Sequence, residues 1–265
     1  MINEFIYGTP TWEWGSLLVG LAVGSSCLGL MLFNRLVDVE LRKAHNELAG
    51  FIVAVISVTY AVLLAFIAIA TWESYTAAQE GVEREANLVG NMYRDTQGLP
   101  QEVGRVMRAD LREYLDVVVR TEWPVQQKGE TSNAATPALH RLHTAIATMH
   151  SDGGGQTVLE AELLKTLNEL YSARSTRLAA VEGHIPDVIW VIIFLGGAIT
   201  TGFTYLFGFH DFRLHMAMTA AVAATLALVV ILIIAMDWPL RGEVSVSSGA
   251  FTKTEAGWND LALDH

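Results

Sequence analysis

The chain has 265 residues, 52% of them hydrophobic and 17% charged, at a mean hydropathy of +0.35; an ordinary soluble domain carries about a quarter charged residues. Its net charge of −11 excludes a nucleic-acid surface, which needs a basic stripe. A lone cysteine, Cys27, excludes an intrachain disulfide and a thiolate metal cluster.

The charge deficit is concentrated in four apolar runs, 14–33, 48–72, 185–208 and 215–236. Each is long enough to cross a hydrocarbon core of roughly 30 Å, which takes about 20 residues. Charged residues stay at their edges, with Asp187 in the opening turn of the third. Glu4 and Glu13, with no basic residue ahead of the first run, argue against a cleaved secretory leader. Trp12, Trp14, Trp72, Tyr75, Trp190 and Trp238 fall where aromatic side chains mark membrane interfaces. The expected fold is all-α: four transmembrane helices, with a helical extramembrane domain inserted between the second and third. Its parts are 1–72 (N-terminal tail and two spans), 73–184 (insert), 185–236 (two spans) and 237–265 (polar C-terminal tail).

Arg35, Arg42 and Lys43 lie between the first two spans and Arg213 between the last two, whereas the N-terminal tail has no basic residue. The positive-inside rule then puts both short loops in the cytoplasm of a bacterial inner-membrane protein. Termini and insert fall outside, where the insert carries 11 basic and 16 acidic residues. Acidic side chains keep a polar domain soluble; gathered at a pore entrance they also concentrate cations.

Within the insert, the second span's pattern continues without a breaker to Gln97. Residues 48–97 therefore read as one helix of about 75 Å at 1.5 Å per residue, stopped by Gly98-Leu99-Pro100. Further helices are expected at 101–122, ended by Trp123-Pro124, at 137–149, and from 157 toward Gly183. The tract Ser151-Asp-Gly-Gly-Gly breaks the chain between the last two.

The sequence carries no nucleotide-binding glycine loop, zinc-protease His pair or nucleophile elbow, so no enzyme and no cofactor are expected. His140, His143 and His150 fit a solvated helix face. His210, Asp211 and His215 could hold a metal or sense pH, but interfacial polar residues of a turn between two spans are the default reading. No ionisable group lies mid-membrane, which disfavours a proton- or sodium-coupled carrier. Ser57, Thr59 and Tyr60 of the second span are candidate pore hydroxyls, Val62, Leu63 and Phe66 a candidate dewetting collar, and Trp72 with Glu73 a candidate mouth. Gly20, Gly24, Gly196, Gly197, Ala217 and Ala221 form small faces that let helices approach closely. One four-span subunit has no room for a water path, so conduction requires a homo-oligomer with the pore on its symmetry axis. The expectation is a passive channel for small inorganic ions in the lipid bilayer, cations slightly favoured. A non-conducting sensor or scaffold, whose bundle binds a partner, is the alternative.

From His45-Asn46 onward the chain resembles the bestrophin-like family of bacterial membrane proteins. Gly50-Phe51, Tyr60-Ala61-Val62-Leu63-Leu64-Ala65-Phe66, Trp72-Glu73, Glu83, Glu85-Ala86-Asn87, Tyr93 and Gly98-Leu99-Pro100 carry the resemblance. Tyr114, Glu122-Trp123-Pro124 and Gly242-Glu243-Val244-Ser245-Val246 extend it. The resemblance implies kinship with bestrophins, which are pentameric anion channels with calcium-regulated gates, and so makes an anion channel a further alternative. The acidic cluster of a calcium clasp is not evident, the outward insert differs from the bestrophin plan, and Ser247-Ser248-Gly249-Ala250-Phe251 replaces a proline-containing run.

Overall fold

The computed structural model describes residues 2–149 and 154–263, and every regular element among them is helical. In chain order these are α1 (Ile2–Gly8), α2 (Thr11–Leu36), α3 (Val39–Lys43), α4 (Asn46–Asp95), α5 (Gln101–Val117), α6 (Trp123–Gln126), α7 (Thr136–Ala147), α8 (Gly154–Glu182), α9 (Asp187–Thr204), α10 (Phe212–Asp237) and α11 (Gly249–Leu263). A 3₁₀ turn, Thr96–Gly98, follows α4, and a π turn, Val118–Glu122, joins α5 to α6. Two compact units divide the chain: Met1–Glu73, His184–Asp237 and Gly242–Val244 form the first, and Ser74–Gly183, Trp238–Arg241 and Ser245–His265 the second.

The first unit holds α2, α9, α10 and the apolar part of α4, the four helices long and apolar enough to cross a membrane. Trp14, Tyr60, Leu64, Ile193, Val230, Ile233 and Ile234 make its core. Packing here relies on small residues. Gly15 lets Ile231 of α10 lie against α2, and Gly196 leaves room for the Tyr60 ring, which a Cβ at that position would strike. The Tyr60 hydroxyl donates to Ile193 O at 2.5 Å. Helix ends are tied down by charge: Glu243 accepts from Thr11 N–H at 2.7 Å and Asp237 from Ile185 N–H at 2.7 Å. At the opposite end of the bundle Arg42, 5% exposed, donates to the Tyr205 and Phe207 carbonyls (3.0 and 3.3 Å) and to Asn34 Oδ1. It satisfies the carbonyls just past α9, where a cation also meets the negative end of the helix dipole. Asn46 exchanges two hydrogen bonds with the Gly208 backbone at 2.9 and 3.0 Å.

The second unit is a helical bundle whose core includes Val89, Met92, Met107, Leu111, Leu139, Leu142, Leu163 and Leu167. Two expectations are revised here. The first concerns Trp123-Pro124, which does not end the helix. Proline lacks an N–H and crowds the carbonyl four residues back; the chain widens instead into the π turn, with Trp123 N–H reaching Val118 O, and α6 carries on to Gln126. Gly129 then closes the turn at φ +83°, a conformation glycine adopts without a Cβ penalty. The second concerns the expected polar C-terminal tail, which contains α11, with Phe251 and Trp258 buried. Trp258 stacks on Tyr93 at 4.1 Å between ring centroids, and Phe251 meets Trp123 edge-on at 6.0 Å. The expected break at 151–153 and His150 lie outside the described residues.

Candidate functional site

The membrane part of α4 has two unlike faces. Val53, Ser57, Tyr60, Leu64, Ile67 and Thr71 follow one another at three- and four-residue steps and are buried or half-buried. On the opposite side Leu48, Phe51, Val55, Val58, Val62, Phe66, Ile69 and Glu73 repeat at the same steps and are all exposed, Phe66 at 68%. Residues at this spacing share one helix face. Only 11% of the most apolar stretch of α4 is buried within the chain.

The candidate pore residues therefore separate. Val62, Phe66 and Glu73 lie on the open stripe. Thr59 and Leu63 flank it, the Thr59 hydroxyl spent on its own helix at Val55 O, 2.9 Å. Trp72 is 60% exposed beside it. Ser57 and Tyr60 lie on the covered face, across the helix from Val62, and Tyr60 is held against Gly196 and Gly197 of α9. These two glycines thus serve packing within the subunit. Gly20 and Gly24 have open space where a side chain would stand, and Ala217 and Ala221 are exposed.

The histidine candidates of the turn are each engaged elsewhere. Asp211 Oδ1 accepts from Arg213 and Leu214 N–H at 2.9 and 3.2 Å, capping α10. His215 is buried with Nε2 2.8 Å from Thr204 O, and His210 Nδ1 lies 2.8 Å from Lys43 Nζ. No metal-holding group of three His, Cys, Asp or Glu occurs among the described residues. His140 and His143 are exposed on α7.

A second constellation, in the bundle, was missed by motif reading. Arg177 of α8 donates to Glu85 through Nε (2.7 Å) and Nη2 (3.0 Å), to Glu122 (3.1 Å) and to Gln126 Oε1 (2.8 Å). Arg174 grips both Glu122 oxygens at 2.7 Å; Tyr114 donates to Glu85 at 2.5 Å, and Ala135 N–H to Glu122 at 2.8 Å. Burial works against a charged Glu122, but the guanidiniums and the Ala135 N–H outweigh it and hold its carboxyl below the usual range. Burial, then the Glu85 charge, pushes the Tyr114 phenol well up; for Arg177, burial is overcome by Glu85 and the guanidinium is held more firmly protonated. Two carboxylates and two guanidiniums cancel, and charged pairs with shared hydrogen bonds suit a register-setting core. The signal was in the periodicity. Continuing Leu163, Leu167, Leu170 by the same steps lands on Arg174 and Arg177, and Val82, Glu85, Val89 likewise puts Glu85 on a core face.

An all-helical chain with four membrane-length helices and a separately packed helical bundle defines a class of polytopic membrane protein. A family model for the bestrophin-like domain matches residues 20–251, and the chain belongs to the bestrophin-like family. A point-mutant form of a bacterial bestrophin homologue from Klebsiella pneumoniae superposes with a TM-score of 0.71 at 10% identity, over 92% of this chain and 98% of that one. A crystal structure of such a homologue from the same organism, phased on zinc, gives 0.69 at 12% identity, over 94% and 98%. At such identity the likeness establishes the fold alone. No curated protein matches the chain. Glu85, Tyr114 and Glu122, which entered the family resemblance as separate positions, meet in the buried cluster.

Proposed function

We propose that the protein is a homo-oligomeric passive ion channel whose shared pore is lined by the open stripe of α4. The observation that carries this reading is the stripe itself. Val58, Val62 and Phe66 stand one turn apart, each at least half exposed on its own chain, as a collar that gates by dewetting requires, and Glu73 stands beyond them where a ring of carboxylates would meet entering ions. The family supports a channel, and the acidic balance favours cations. Flux from proteoliposomes under defined gradients tests it. Cation flux that falls in Glu73→Gln is expected; anion flux with cations excluded would give the bestrophin selectivity instead, and no flux under any gradient would leave the scaffold reading.

The family resemblance favours a cytoplasmic insert, opposite to the side given by the charge count of the short loops. The packing of Arg42 against the end of α9 accounts for one of the four basic residues, Arg35, Arg42, Lys43 and Arg213, behind that count. Insertions longer than about 60 residues escape the positive-inside rule in any case. A cysteine at exposed Lys128, in a Cys27→Ser background, should resist an impermeant maleimide in spheroplasts and react after lysis; labelling of intact spheroplasts restores the outward insert.

A further inference from the structure

The membrane unit contains a half-open cavity of about 230 Å³ between α4, α9, the 205–211 turn and α10. Its wall is apolar and aromatic, with the Phe207 and Phe209 rings and Met218, and contains no Lys, Arg, Asp or Glu. Four hydroxyl residues also line it: Ser57, Thr200, Thr204 and Thr219. Thr204 donates to Thr201 O at 2.6 Å and lies 3.2 Å from the Thr219 hydroxyl. His215 Nε2, 2.8 Å from the Thr204 carbonyl, must carry the proton there, which leaves Nδ1 as an acceptor. Thr200 is different. It is 4% exposed and its Oγ1 has no hydrogen-bond partner. Other membrane threonines bond the carbonyl four residues back, as Thr59, Thr71 and Thr225 do here. A buried hydroxyl left unpaired is costly, and a ligand that pairs with it recovers that cost.

We propose that this cavity is a binding site for a small uncharged aromatic alcohol, with Thr200 as the group that recognises its hydroxyl. The volume exceeds the roughly 150 Å³ that encloses benzene in a dry protein cavity, which leaves room for a ring with a short substituent. The rings and the Met218 sulfur suit an aromatic face, and the absence of charge in the wall rejects an ion. The occupant would touch Ser57 and so sit behind α4, on the side away from its open stripe. The site does not depend on the protein conducting ions.

Photolabelling of the full-length protein in lipid nanodiscs with a diazirine-bearing benzyl alcohol, followed by peptide mapping, tests this. Label is expected at 53–57 and 215–222 and should fall with excess unlabelled benzyl alcohol. Thr200→Val should cut that labelling about fivefold, the scale of one hydrogen bond, without affecting a diazirine-bearing toluene. Thr200→Ser should retain it, and Val222→Trp, which fills the space, should remove label from both probes. Label spread over lipid-facing residues such as Val191 and Leu228 without competition overturns the site. Competition by lauric acid but not by benzyl alcohol makes the occupant an acyl chain and overturns the ligand class. Equal loss of both probes in Thr200→Val overturns the role of the hydroxyl.

Discussion

Arg177 is fully buried with its hydrogen bonds directed at Glu85, Glu122 and Gln126, so its removal strands Glu85 without countercharge while Glu122 keeps Arg174. Arg177→Met should destabilise the bundle by about 3–5 kcal/mol, and pairing it with Glu85→Leu should recover much of that loss, because an ion pair replaced as a unit leaves no orphan. Thermal unfolding of the full chain followed by helix signal measures both. Acid should act through Glu122. Its folded-state pKa lies below the ordinary 4.5, so the unfolded chain binds the proton first. The stability it supplies is complete above 4.5 and disappears as pH falls through the lower folded value. Glu122→Gln should flatten that part of the pH dependence, and an unchanged slope would assign the acid response to other carboxylates. Periodicity puts these residues on core faces, but it does not name their partners. Charged side chains are normally assigned to solvent, and nothing in the local sequence of α8 says that two of its arginines face carboxylates 52 to 92 positions earlier.

At the scale of elements, the four apolar helices and the unbroken α4 followed directly from composition and the absence of proline, and they appear where the sequence puts them. The faces of α4 did not. Every residue from 51 to 70 is apolar or carries at most a hydroxyl, as Ser57, Thr59 and Tyr60 do, so periodicity has no polar side to mark; the direction of α4 is set by Gly196 and Gly197 accepting the Tyr60 ring. The π turn ahead of Pro124 is equally unmarked in the sequence; it ends at Glu122, which is buried and paired with Arg174 and Arg177. If the open stripe of α4 is the gate, wetting it should raise flux. Phe66→Ser should increase ion flux about tenfold, equivalent to lowering the barrier by about 1.4 kcal/mol, and Ser57→Ala, on the covered face, should leave it unchanged. Equal effects from the two variants would place the pore elsewhere.

Whole-molecule behaviour depends on what covers the apolar surface that one subunit leaves open. Four membrane helices with one tenth to one third of their apolar stretches buried must find either lipid or further copies, and lipid offers no hydrophobic driving force for association, so close packing at small residues decides between them. Gly20 and Gly24 sit on a face with open space around each, which makes them informative: a larger side chain there strains nothing inside the subunit. Gly20→Leu with Gly24→Leu should therefore leave the thermal stability of the subunit nearly unchanged while shifting the mass of the solubilised assembly, measured by native mass spectrometry, toward smaller species. An assembly of unchanged mass would show that this face meets lipid, and would leave the open stripe of α4 as the surface through which copies associate.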